Sequence, residues 1–131
     1  MLDWSKADEL SVLIVDDEPD NLEVIAESLR FFGMTVEVAT NGVDALESLK
    51  RRCPSLIMLD LSMPKMDGWQ TLKHIRANPS TSATPVVALS AHAMPVDRQR
   101  ALEVGFDGYM AKPVNIPTLM RDIRNALKIK A

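Results

Sequence analysis

With 131 residues the chain has the length of one domain that can bury a core. Its apolar fraction of 47% is ordinary for a globular protein, and a net charge of −3 implies no general attraction to nucleic acid or membrane. Cys53 alone excludes an intramolecular disulfide and fits a reducing cytoplasm, and no stretch reads as a membrane span or signal peptide.

Residues 1–10 are polar apart from Leu2 and Trp4. They read as a leader or short helical turn, with Trp4 resting on a domain that occupies residues 11–131. The first strand is expected at Ser11 to Val15, where Val12-Leu13-Ile14-Val15 runs into Asp16-Asp17-Glu18. A helix follows with Pro19 in its first turn, a buried stripe of Leu22, Ile25, Ala26 and Leu29, and Gly33 as C-cap. Met34 to Ala39 alternates as an edge strand does, Val36 and Val38 inward, Thr35 and Glu37 outward. Asn41-Gly42 turns into a second helix that runs to about Arg52, buries Val43, Leu46 and Leu49, and is stopped by Pro54. Cys53 reads as a small, partly buried side chain.

Ser55-Leu56-Ile57-Met58-Leu59-Asp60 is a continuous apolar run ending in one acid, the pattern of a strand buried on both faces in a parallel sheet. The third helix is expected from near Gly68, with Asp67-Gly68 as its starting turn, Leu72 and Ile75 on its buried face and His74 solvated. Asn78-Pro79-Ser80-Thr81-Ser82 is a loop by composition. Pro85 to Leu89 forms the fourth strand and leads to Ser90-Ala91. The fourth helix spans Pro95 to Gly105, with few large apolar anchors beyond Val96, Leu102 and Val104. A short strand near Asp107 to Ala111 ends in Lys112-Pro113. Asn115 then N-caps a fifth helix with Pro117 in its first turn and a stripe of Ile116, Leu119, Met120, Ile123 and Leu127.

Strand and helix alternate five times, which gives a doubly wound α/β sandwich. With the second strand at an edge, the flavodoxin-like order 2-1-3-4-5 fits. Right-handed crossovers place every carboxyl strand end on one rim, where Asp16, Asp17 and Asp60 meet. Each carboxylate pair repels by about 4 kcal/mol at ~4 Å and an effective dielectric of ~20, so the cluster calls for a cation. Few ligands, all of them oxygen, suit Mg²⁺, and no His/Cys grouping supports zinc. Lys112 and Ser90 approach the same rim as a point charge and a hydroxyl, which suits a phosphoryl group beside Mg²⁺. Asp60 is the candidate nucleophile, since a carboxylate can form an acyl phosphate.

Four pieces recur in order: Val15-Asp16-Asp17-Glu18, Leu59-Asp60-Leu61-Ser62-Met63-Pro64-Lys65-Met66-Asp67-Gly68, Leu89-Ser90-Ala91 and Lys112-Pro113. Together they resemble the receiver domain of bacterial two-component response regulators, over about Ser11 to Lys128. The resemblance implies that Asp60 is the phosphoacceptor, and that Asp17 binds Mg²⁺ directly, Asp16 through water and Ser62 by its backbone carbonyl. It further implies Ser90 as switch hydroxyl, Tyr109 as coupled aromatic, Lys112 as phosphoryl-binding lysine, and a cis Lys112-Pro113 bond that aims it. His92 and Ser62 would flank the path of attacking water. The implied partners are a histidine kinase or histidine phosphotransfer protein and a downstream protein. The chain ends about three residues after the fifth helix with no helix-turn-helix, so output is expected by protein contact at the face of helix four, strand five and helix five.

The leading expectation is a stand-alone phosphorylation switch or phosphorelay carrier, with a receiver fragment of a larger hybrid histidine kinase as alternative. An aspartate-nucleophile phosphatase would carry Asp-x-Asp, but Ser62 stands two residues past Asp60. Flavin binding on the same fold lacks a phosphate-cradling loop after the first strand.

Overall fold

The computed structural model describes residues 2–91 and 95–128. Five strands, β1 (Ser11–Val15), β2 (Thr35–Ala39), β3 (Leu56–Asp60), β4 (Val86–Ser90) and β5 (Gly108–Ala111), alternate with five α-helices. These are α1 (Pro19–Phe31), α2 (Gly42–Arg51), α3 (Gly68–Ala77), α4 (Pro95–Val104) and α5 (Leu119–Lys128). All strand pairs are parallel and the order is β2-β1-β3-β4-β5, as the alternation of elements predicts. In register, Val15 lies beside Leu59, Asp60 beside Leu89 and Ser90 beside Ala111, so the strand ends form a common rim.

The pleat sorts the sheet into two cores. Ile14, Met58 and Leu89 pack under α1 and α5 with Leu29 and Ile123. Val15, Leu59 and Ala88 pack under α2, α3 and α4 with Leu49, Leu72 and Ala101. Helix α1 buries the expected stripe, and Gly33 at φ 94° closes it: its N–H donates to the Arg30 carbonyl at 2.9 Å, and the Met34 N–H to that of Leu29 at 3.2 Å. Ahead of β1, Trp4–Glu9 forms a 3₁₀ turn started by the Asp3 side chain, and Leu2, Trp4 and Ala7 rest against the first core. Among the described residues no helix is long and apolar enough to cross a membrane.

Several expectations are corrected. Val38 shares the inward side of Val36 by alternation but is 43% exposed, on a strand that forms the edge of the sheet. Val43 is 45% exposed. Helix α2 instead buries Gly42, Ala45, Ser48 and Leu49, a stripe one residue round the helix, with Leu46 half-buried. The expected apolar anchors of α4 also fail: Val96 and Val104 are exposed, Leu102 is half-buried, and only Ala101 is buried. Asn115 precedes a 3₁₀ turn at Ile116–Thr118 and makes no side-chain cap bond; the α-helix begins only at Leu119, with Ala126 joining Leu119 and Ile123 in the core. Cys53 is exposed, its thiol within 3.3 Å of the Ser80 carbonyl.

Candidate functional site

Asp16 continues the alternation of Ile14, and Asp60 that of Met58, so both side chains leave adjacent strands on the same side of the sheet. Both are buried, Asp60 at 3% exposure, while Asp17 is exposed. The three offer carboxylate oxygens within 4.8 Å of one another. Backbone amides hold two of them: the Glu18 N–H donates to Asp16 Oδ1 at 3.0 Å, and the Ser62 N–H to Asp60 Oδ1 at 3.1 Å. Each acid thereby orders the chain that leaves its own strand.

Lys112 enters from the β5 side, continuing the alternation of Met110, and its peptide bond to Pro113 is cis. Its N–H donates to the Ser90 carbonyl at 2.7 Å, which ties the start of this loop to the end of β4. Its Nζ donates to Asp60 Oδ2 at 2.9 Å and stands 3.0 Å from Asp16 Oδ2. One ammonium thus serves two buried carboxylates. Burial raises the Asp60 carboxyl from 3.8 to about 6, against the hydrogen bonds from Lys112 and the Ser62 amide, and Asp16 adds to the rise. Burial pulls Lys112 down, but its hydrogen bond to Asp60 and its pairing with Asp16 outweigh this, so its pKa lies above the ordinary value.

Ser90 is buried at the end of β4. Tyr109 pairs in register with Ala88, two residues earlier, and packs half-buried against the second core. Both therefore belong to the α4 side of the sheet. The structure thus gathers Asp16, Asp17, Asp60 and Lys112 in one cluster, sets Ser90 on the neighbouring strand and Tyr109 one strand further. His74 is exposed as expected, and His92 lies outside the described residues.

Two glycines that the sequence offers only as turn residues contribute to the site. A Cβ on Gly68 would collide with the Asp60 carbonyl oxygen and the Leu61 Cα, and its N–H donates to the Leu61 carbonyl at 3.1 Å. Helix α3 is thus seated directly on the backbone of Asp60, and Asp67 and Gln70 fix its first turn with a reciprocal capping box. On the other side, a Cβ on Gly42 would strike Thr71 Oγ1 and the Met66 carbonyl, so the first turn of α2 holds the outside of the same loop. Within that loop Lys65 takes a left-handed φ of 68° and the Met66 N–H reaches the Pro64 carbonyl at 2.8 Å. The sequence signal was the Gly at each helix start, where a helix-former is otherwise preferred.

An all-oxygen donor set of two buried acids and an exposed third, their carboxylate oxygens within 4.8 Å of one another, fits a hydrated Mg²⁺. No ion is in the structure.

The family model for the response regulator receiver domain matches residues 12–124. The chain is 39% identical over 113 residues to an uncharacterized 14.6 kDa protein of Leptolyngbya boryana, covering 86% of each. Sensor histidine kinases also match, but the chain spans only 12% of their length. Among solved structures, the chemotaxis response regulator CheY4 of Vibrio cholerae superposes with a TM-score of 0.84 at 30% identity, over 90% of this chain and 98% of that one. The receiver domain of sensor histidine kinase PA1611 from Pseudomonas aeruginosa, solved with a magnesium ion in its active site cleft, gives 0.79 at 32% identity, over 91% and 98%. A rim of acids and one lysine on a 2-1-3-4-5 sheet, matched along almost its whole length, places the chain in the receiver domain family of two-component response regulators.

Proposed function

We propose that residues 11–131 form a phosphorylation switch in which Asp60 accepts a phosphoryl group from a phosphohistidine on a histidine kinase or phosphotransfer protein, with residues 1–10 as leader. The observation that carries this reading is Lys112 bridging Asp60 and Asp16 inside a buried acid cluster. Asp60, with a pKa near 6, is mostly ionised at neutral pH and so can act as nucleophile. Its oxygen forms the new P–O bond while the P–N bond of the donor breaks, and the imidazole nitrogen keeps the electron pair and takes up a proton. Lys112 is placed to exchange its Asp60 contact for a phosphoryl oxygen, and the Ser90 hydroxyl is one residue past the strand position beside Asp60. Asp17 directly, Asp16 through water, Asp60 and the Ser62 carbonyl would hold Mg²⁺, which would neutralise charge on the phosphoryl oxygens. Water attack on the acyl phosphate regenerates Asp60; any catalysis is confined to the chain's own phosphorylation and dephosphorylation.

Output is assigned to the face of α4, β5 and α5. There a groove of about 730 Å³ is lined by Leu102, Tyr109, Met110, Val114 and Ala126. If Ser90 turns toward the phosphoryl group, Tyr109 on the neighbouring strand can fill the space behind it. The match to sensor kinases supports a second reading, in which this receiver serves inside a hybrid kinase. Intact-mass analysis after treatment with acetyl phosphate and Mg²⁺ tests the first step. One labile phosphoryl group is expected, and none on Asp60→Asn; a label that persists on Asp60→Asn defeats the assignment.

A further inference from the structure

Helix α4 is held to the body of the protein in an unusual way. Of its ten residues only Ala101 is buried. At its C-terminal end the Arg76 side chain from α3 donates to the Gly105 carbonyl, Nη2 at 3.0 Å and Nε at 3.3 Å, and pins the exit of the helix. In its middle, Arg100 lies over the indole of Trp69, its Cζ 4.6 Å from the ring centroid. The same indole meets Phe106, a fully buried ring, in a T-shaped contact at 5.7 Å and 86°. Trp69 is thus fixed against the core while one of its faces carries the helix.

Trp69 is also the residue after Gly68. It sits in the capped first turn of α3, which is seated on the Asp60 and Leu61 backbone with no room for even a Cβ. A displacement of the Asp60 loop therefore moves the indole, and a displacement of α4 strains it. In this arrangement Lys112 Nζ donates to the unmodified Asp60 carboxylate.

We infer that the Arg100–Trp69 stack is a latch that holds α4 in the unphosphorylated position, and that it couples the Asp60 loop to α4 by a route separate from Ser90 and Tyr109. The inference rests on Asp60 being the phosphoacceptor. Released from the stack, α4 would pivot about the Arg76–Gly105 clamp. Coupling is reciprocal, so whatever the latch contributes to holding α4 back it subtracts from phosphoryl binding at Asp60. A partly exposed cation–π contact shifts such an equilibrium by roughly two- to five-fold.

The test uses beryllium fluoride as phosphoryl mimic, in saturating Mg²⁺, on the full chain. Arg100→Ala and Trp69→Leu should each raise its apparent affinity by roughly two- to five-fold, and the double variant should do no more than either single one. Arg100→Lys, which keeps a cation over the ring, should recover part of the effect. Lys50→Ala removes an exposed cation from α2, which takes no part in the indole contacts, and should change nothing. NMR shifts of α4 amides in the Arg100→Ala protein without mimic should lie partway toward the bound positions. Unchanged or weakened affinity, full additivity in the double variant, or α4 shifts that stay at the resting positions overturns the latch. Acetyl phosphate labelling, read by mass on the unsubstituted protein, separates the causes of failure. Absent labelling defeats the phosphoacceptor reading and the latch with it, whereas normal labelling with unaltered affinity defeats the latch alone.

Discussion

Helices α3 and α4 are ten residues each and cover the same side of the sheet, yet they are held in opposite ways. Helix α3 buries Gly68, Thr71, Leu72 and Ile75, closes its first turn with a capping box, and carries Arg76 in its last turn. The Arg76 guanidinium donates to the carbonyls of Thr84 at 2.7 Å, Ser82 at 3.2 Å and Gly105 at 3.0 Å, and pairs with Asp107 at 2.7 Å. Helix α4 buries one alanine and leans on a ring. Under the proposed function the difference has a reason. The loop between β3 and α3 would hold Asp60 and Ser62 for phosphoryl transfer, and packing supplies that rigidity. A part that has to change position with phosphorylation cannot be buried deeply, because leaving a packed core costs several kcal/mol per large side chain.

Truncating one leucine on each helix breaks the comparison if it is wrong. Leu72→Ala should cost about 2–5 kcal/mol of unfolding free energy, as for a buried leucine at 2% exposure. Leu102→Ala, half-buried, should cost about 1 kcal/mol or less. Urea titrations decide it, and equal costs would show that α4 is anchored as firmly as α3.

The contrast was only half legible in the sequence. Strand ends at Val15 and Asp60 were legible because an apolar run that stops at an acid marks both the strand and the rim. Helix α1 was legible because its stripe follows one period from Leu22 to Leu29. The exposure of Val38, Val43, Val96 and Val104 was not, since how far a neighbouring element reaches over an edge is tertiary information. Arg76 carried no signal at all: its acceptors are mostly backbone carbonyls, which every sequence offers. Gly68 read as a turn residue, whereas its function depends on the backbone of Asp60 lying against it. Lys112 was read as a partner for phosphate; without phosphate it is the counter-charge for two acids, which eases the repulsion expected of the cluster.

Acidity sharpens the comparison on the chemical side. The Asp60 pKa in the fold, about 6, lies above its ordinary 3.8, so the protonated form favours the folded state. That stabilisation is complete below about pH 4 and is lost as pH rises through about 6. Two units correspond to on the order of 3 kcal/mol. In Mg²⁺-free buffer Asp60→Asn should therefore be more stable than the unsubstituted chain by an amount that is near zero at pH 4 and levels off above pH 7. Leu102→Ala, on the lightly held side, should show no such pH-dependent difference. A difference profile for Asp60→Asn that is flat across this range would mean that burial of the charged carboxylate costs the fold nothing.

The smallest expected effect comes from the cation. Mg²⁺ binds the folded cluster and not the unfolded chain, so by mass action it stabilises by about 1.4 kcal/mol when its free concentration is tenfold above Kd. Its ligands must be ionised, and the buried Asp60 is ionised only above about pH 6. The gain in melting temperature should accordingly be present at pH 7.5, fade through pH 6 and be absent at pH 4. Asp60→Asn should reduce it by removing one charged ligand, and Leu102→Ala should leave it intact, because α4 contributes none of the three acids. Thermal melts with and without millimolar Mg²⁺ at these pH values provide the measurement. A melting temperature indifferent to Mg²⁺ at pH 7.5 would leave Lys112 as the cluster's only cation and would remove the metal from the proposed site.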